Sequence, residues 1–207
     1  MAPPHGKPHN PQVRDPQPSA WFQALIVVWA LGGLLLTLVD PIYRLSLIAL
    51  EGLTHPEVGP VHLAFAVAWS VFMVWAEGVR GFQRSFAPRS VARAFAFARS
   101  PRRWIVPLAP LVAAGLVDAT PRRLAASWGV VAAVVVMVLG IRTFPQPFRG
   151  LVDLGVALAL AYGTAWIVGH AVASLLGRPP EIDPELRDSA APPVSPEVSA
   201  LVPPRTR

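Results

Sequence analysis

Apolar and polar positions fall in long blocks along this chain, on the scale of a lipid bilayer. Trp21–Val39 is 19 residues without a charge; as a helix it would measure ~28 Å against a hydrocarbon core of ~30 Å. Asp40-Pro41 predicts an end to that helix and the start of another, because Asp caps and Pro suits a first helical position. Residues 41–53 are apolar apart from Arg44 and Glu51, too short to span and predicted to lie in the interface or on the bundle. After a loop of His55, Pro56, Gly59 and Pro60, Val61–Val79 reads as a second span whose one charge is Glu77. Trp104–Val117 is apolar but short and holds Pro107 and Pro110. Asp118–Arg123 reads as a tight polar turn, with Thr120 as N-cap and Pro121 at the first helical position. Leu124–Ile141 is a clean span, and Leu151–Leu176 is a long last one containing Asp153 and His170.

The flanks are different. Residues 1–20 hold six prolines and residues 179–207 hold eight, both without periodicity, which predicts disordered tails. The chain thus divides into a tail (1–20), a transmembrane helical domain (21–178) and a second tail (179–207). The expected fold is all-α, a polytopic transmembrane helix bundle of five spans, or of four if 104–117 is re-entrant.

Composition supports a bilayer setting. The chain is 53% hydrophobic and 14% charged, whereas soluble domains carry about 25% charged residues. Cysteine is absent, which excludes disulfides, iron–sulfur clusters and thiol nucleophiles. The net charge is +6, carried by 17 Arg and one Lys; that bias, with abundant Ala, Gly and Pro, fits a GC-rich bacterial genome. Seven arginines fall within residues 80–103. Read as a helix from Pro88, this segment sets Arg89, Arg93 and Arg99 on one side and Val91, Ala94, Phe95 and Ala98 on the other. Such a basic amphipathic helix suits an anionic inner leaflet. Arg84, Arg89, Arg93, Arg99, Arg102 and Arg103 are therefore the expected lipid- or partner-binding residues, and nucleic acid is not an expected partner.

Arginine placement also orients the chain, since basic loops stay cytoplasmic. With the N-terminus inside and the distal Arg205 and Arg207 left out, five spans leave eleven basic residues inside and five outside, and four spans leave thirteen and three. Both arrangements keep the N-terminus and the loop 80–103 in the cytoplasm. The short Asp118–Arg123 turn favours five spans; the charge count favours four.

A small residue recurs every fourth position in the last span: Ala157, Ala161, Ala165, Gly169 and Ala173. In lipid, small residues let helix backbones approach closely. Ala125, Gly129 and Ala133 form a shorter stripe, predicting that these two helices pack together or that one stripe makes a homodimer.

Candidate chemistry is sparse. Glu77 and Arg80, with Arg149 and Asp153, are ionisable groups at span boundaries, where such groups are costly and often functional. In the five-span arrangement all four would lie at the cytoplasmic end and close a small polar site. His62 and His170 would lie near the outer face, where two imidazoles from neighbouring helices can ligate haem. No zinc-protease, nucleophile-elbow, P-loop or dinucleotide-binding motif occurs. An enzyme and a cofactor are therefore not expected.

The string Glu77-Gly78-x-Arg80-Gly81-Phe82-Gln83 with Phe86-x-Pro88-Arg89, then Ala119-Thr120-x-Arg122-Arg123-Leu124, Ser127-Trp128-Gly129 and Pro145-Gln146-Pro147-x-Arg149-Gly150 with Asp153, resembles bacterial multi-span membrane proteins without an assigned activity. The resemblance covers roughly residues 70–160 and implies architecture, not mechanism. The expected function is that of a non-enzymatic structural or accessory protein of the bacterial inner membrane. Its basic loop would engage anionic lipid, another membrane protein or a second copy. The alternative is a small transporter or channel module with a polar site near Glu77 and Asp153.

Overall fold

The computed structural model describes residues 18–187. Within them the structure is helical apart from turns and one isolated β-bridge. Four continuous helices are long and apolar enough to cross a membrane: Ala20–Leu53, Pro60–Arg99, Pro121–Ile141 and Phe148–Leu175. The first is α1. The second comprises α2 (Pro60–Met73), a π-helical stretch (Val74–Phe86) and α3 (Ala87–Arg99). A 3₁₀ turn at Val106–Leu108 leads into α4 (Ala109–Ala114), followed by α5 (Pro121–Ile141) and α6 (Phe148–Leu175).

α1 corrects the expected break at Asp40-Pro41. It is one helix of 34 residues with Pro41 inside it. Proline removes one backbone hydrogen bond, but two features carry the helix through. Arg44 pairs with Asp40 at 3.0 Å, bridging the proline turn, and Ala49 and Gly52 beyond it are buried like Ile26, Ala30 and Leu34 before it. Packing along the whole length outweighs one lost bond. At ~51 Å, α1 exceeds the hydrocarbon thickness and must tilt or project beyond it.

The segment 104–117 does not form a helix of spanning length. Pro107 and Pro110 divide it into a 3₁₀ turn and six residues of α4, and Gly115 at φ +74° ends α4. The segment lies against the middle of α1: Pro110 fills the space beside Gly33, and the Trp29 Nε1–H donates to the Pro107 carbonyl at 3.3 Å.

α6 is the spine of the bundle, and its contacts fix the direction of its neighbours. Along α2 and the π stretch, contacting residue numbers rise with those of α6. His62 meets Phe148, with ring centroids 5.2 Å apart. Trp69 Nε1–H donates to the Val152 carbonyl at 3.0 Å. The Tyr162 hydroxyl donates to Gln83 Oε1 at 2.6 Å. These two helices therefore run parallel. α1 runs antiparallel to α6, with Gly52 beside Gly150 at one end and Ala171 packed on the Ile26–Leu31 cluster at the other. The charge-free half of α1 thus lies beside α3, α4 and the C-terminal half of α6.

The packing face of α6 differs from the expected one. Gly155, Ala159, Gly163 and Ile167 are buried. A β-carbon on Gly155 would meet the Trp69 ring at 2.6 Å, and one on Gly163 the Phe82 ring at 2.3 Å. Of the expected stripe, Ala157 is buried, Ala161, Ala165 and Gly169 are exposed, and Ala173 is half-buried. The two stripes sit two residues apart, ~200° around the helix. The sequence contains both, and the bulky Trp69 and Phe82 rings select the one that places Gly155 and Gly163 beneath them.

The expected packing of α5 on α6 is likewise not made along these stripes. Ala125, Gly129 and Ala133 are exposed, and nothing lies within 4 Å of where a Gly129 β-carbon would sit. Its beginning does follow expectation, with Thr120 at the N-cap and Pro121 at the first position.

The expected boundary at 179 also shifts. Arg187 N–H donates to the Asp118 carbonyl and Thr120 N–H to the Glu185 carbonyl, both at 3.0 Å, and Leu186 is buried. Residues up to 187 form a strap docked on the helical domain. The expectation of disorder for 1–17 and 188–207 falls outside the described residues.

Candidate functional site

The seven arginines of 80–103 do not form one solvated face. Arg93 is the largest fully buried side chain, at 0% exposure. Its guanidinium donates from Nε to the Pro184 carbonyl at 3.0 Å and from Nη1 to the Ala113 carbonyl at 3.2 Å. Nη2 faces Glu185 Oε2 at 3.5 Å. Arg123, from the first turn of α5, reaches the same carboxylate oxygen at 3.7 Å. A buried guanidinium is tolerated only when its donors and charge are matched. Here two carbonyls and a carboxylate from two separate segments, α4 and residues 184–185 of the strap, do so.

The local backbone is shaped around that group. A β-carbon on Gly115 would lie 2.9 Å from Arg93 Nη1, and its φ of +74° disfavours any other residue. Glu185 sits at φ +53°, a conformation costing an ordinary residue roughly 1–2 kcal/mol. The Asp183 carboxylate accepts the Glu185 N–H at 2.8 Å, holding the strained residue where its side chain meets Arg93. Arg102 pairs with Asp118, tying the start of the 100–120 segment to its end. The cluster clamps α3, α4, α5 and the strap together.

Arg93 is thus removed from the expected lipid-facing set, because its neighbours bury it. Arg102 is half-buried in an ion pair, and Arg89 donates to the Ser85 hydroxyl at 2.6 Å. Arg84, Arg99 and Arg103 are exposed, and Arg122 and Arg178 join them.

Glu77, Arg80, Arg149 and Asp153 do not converge. Glu77 and Arg80 are exposed, and the Arg80 guanidinium lies 5.1 Å from the Trp75 ring centroid, a cation–π contact. Asp153 is buried at 5% exposure, with Arg149 Nε 4.0 Å from its carboxylate. Gly78, next to Glu77, faces Ala159 and Tyr162, six to nine residues beyond Asp153 or ~9–13 Å along α6. Substituting both acids should therefore be additive: the destabilisation of the Glu77→Gln, Asp153→Asn double variant should equal the sum of the singles within about 0.5 kcal/mol. Detergent-titrated unfolding of the three variants measures this.

His62 and His170 are also separated. His62 Nδ1 accepts the Gly59 N–H at 3.2 Å at the start of α2. His170 lies against Trp166 near the end of α6. The parallel course of the two helices leaves ~33 Å between Phe148, beside His62, and His170, so one haem cannot take both.

No local pattern marks the Arg93–Glu185 pairing, since the acid lies in a proline-rich segment 92 residues away. Gly115 followed by the Asp118 turn was the one local hint of a shaped loop. Comparisons with protein families, curated proteins and solved structures find no match for this chain.

Proposed function

We propose that the protein is a non-enzymatic structural or accessory component of a bacterial inner membrane, crossing it four times with both termini in the cytoplasm and engaging anionic lipid through its basic cytoplasmic surface. The parallel course of α2 and α6 carries this reading. Two helices that cross in the same direction are separated by an odd number of crossings. Between them lies one further helix of spanning length, α5. A fifth crossing at 104–117 would force α6 to run against α2. The same topology is the one with thirteen basic residues inside and three outside. It places Arg99, Arg103, Arg122 and Arg178 on the cytoplasmic side, where an anionic leaflet contributes roughly 1 kcal/mol per basic residue near the surface.

The absence of cysteine makes the topology directly testable. In intact cells, Thr120→Cys and Gly177→Cys should resist a membrane-impermeant maleimide and react after permeabilisation, whereas Thr143→Cys should react in both. Reaction of Thr120→Cys in intact cells would overturn the four-span reading. Adhesion is read separately, as a salt-dependent stability gain of the reconstituted protein in anionic over neutral bilayers.

A further inference from the structure

The first turns of α1, the end of α3 and the end of α6 enclose an apolar cleft of about 480 Å³, within the roughly 300–1,000 Å³ range of ligand sites. We propose that this cleft holds one acyl chain of an anionic phospholipid, with the lipid phosphate on Arg99. The proposal deepens the reading above and rests on it for the leaflet concerned.

The walls are hydrocarbon: Val27, Val28 and Leu31 of α1, Phe95 and Ala98 of α3, and Ala171 of α6. Two lining residues are polar. Gln23 spends its amide on the Pro18 carbonyl at 2.7 Å. Arg99 is exposed, and among the described residues its guanidinium has no partner. No acidic residue lines the cleft. An apolar slot with a single available cation at its rim is complementary to a hydrocarbon chain with an anionic head.

The dimensions select the same occupant. Along α1 the lining runs from Ala20 to Gly32, ~18 Å, close to one leaflet of a ~30 Å hydrocarbon core. The cleft is half-open along that length, so an acyl chain of the surrounding leaflet can enter it from the side. The outer surface of α1 at this level is apolar as well, since Trp21 and Leu25 are 70% and 56% exposed.

Gly32 provides a clean test, because it lines the cleft and nothing lies within 4 Å of where its β-carbon would be. Full-length protein would be released from nanodiscs of mixed phosphatidylglycerol and phosphatidylcholine and weighed by native mass spectrometry. The expected result is one retained lipid, enriched in phosphatidylglycerol about tenfold over the bilayer, as one charge-assisted contact gives. Arg99→Gln should keep a lipid but lose the enrichment, and Gly32→Phe should lose the lipid with an unchanged unfolding midpoint. Retention at bulk composition by the unaltered protein, or undiminished retention by Gly32→Phe, would overturn the site. So would a wild-type dimer that Gly32→Phe converts to monomer, since the cleft would then hold a second copy. Bilayer adhesion is scored separately in Arg84→Gln, Arg103→Gln, which leaves the cleft untouched. Loss of adhesion with the retained lipid intact separates the surface effect from the site.

Discussion

Gly150→Leu should prevent α1 and α6 from meeting and leave little folded protein. A β-carbon at Gly150 would lie 2.6 Å from both the Gly52 Cα and the Ile48 carbonyl oxygen. These are backbone atoms, so no rotamer change makes room. Inserting atoms into a packed site costs about 1–3 kcal/mol, and more where the backbone itself must shift. We expect a loss of at least roughly 3 kcal/mol, a size reserved for a few mechanisms of which overpacking is one. Gly129→Leu and Gly169→Leu are the controls. Neither glycine has an atom within 4 Å of its β-carbon position, and both should stay within about 0.5 kcal/mol of the parent. Ala165→Leu, on the exposed stripe of α6, should behave like the controls. Unfolding midpoints in mixed micelles rank the four variants, and equal losses would remove the close-contact account of α1–α6 packing.

Arg93→Met should be the second most damaging change. It keeps the apolar stem but withdraws the donors from the Pro184 and Ala113 carbonyls and the charge facing Glu185. Each buried acceptor left unmatched costs about 1–3 kcal/mol, so a loss of roughly 2–4 kcal/mol is expected. Glu185→Gln should cost less, on the order of 1 kcal/mol. Its side chain is 35% exposed, which screens the ion pair, and Arg93 would keep both carbonyls. The double variant should cost less than the sum, because the two residues share one network. Limited proteolysis gives a local readout: the strap should be cut faster in Arg93→Met than in Glu185→Gln. If the strap is equally protected in both, Arg93 is not what holds it.

Much of the architecture is legible in the chain because bilayer-scale apolar blocks are a composition signal that needs no partner. The blocks at 21–39, 61–79 and 124–141 fall within the long helices and the block at 151–176 overruns the last one by a single residue, and the Thr120-Pro121 start of α5 is a purely local signature. What the sequence hides depends on partners. Asp40-Pro41 reads as a break until α6 is laid along both halves of α1. The two small-residue stripes of α6 are equivalent until Trp69 and Phe82 are placed. Arg93 has the same surroundings in sequence as Arg89 and Arg99, and only Ala113, Pro184 and Glu185 distinguish it. The choice between four and five spans turned on Pro107 and Pro110. They were visible from the start, but only the structure shows that they divide 104–117 into a 3₁₀ turn and a six-residue helix lying against α1.

The clamp around Arg93 also has a history in time. Glu185 follows Arg93 by 92 residues, and at a synthesis rate of about 5–20 residues per second it arrives roughly 5–18 s later. For that interval the nascent chain carries a guanidinium whose carboxylate does not yet exist. α3 can be seated against α1 early, but its charge is matched only when the end of the helical domain has been made. The strap is therefore the closing step of assembly, and a chain stopped before it would leave the ribosome with its most deeply buried cation uncovered.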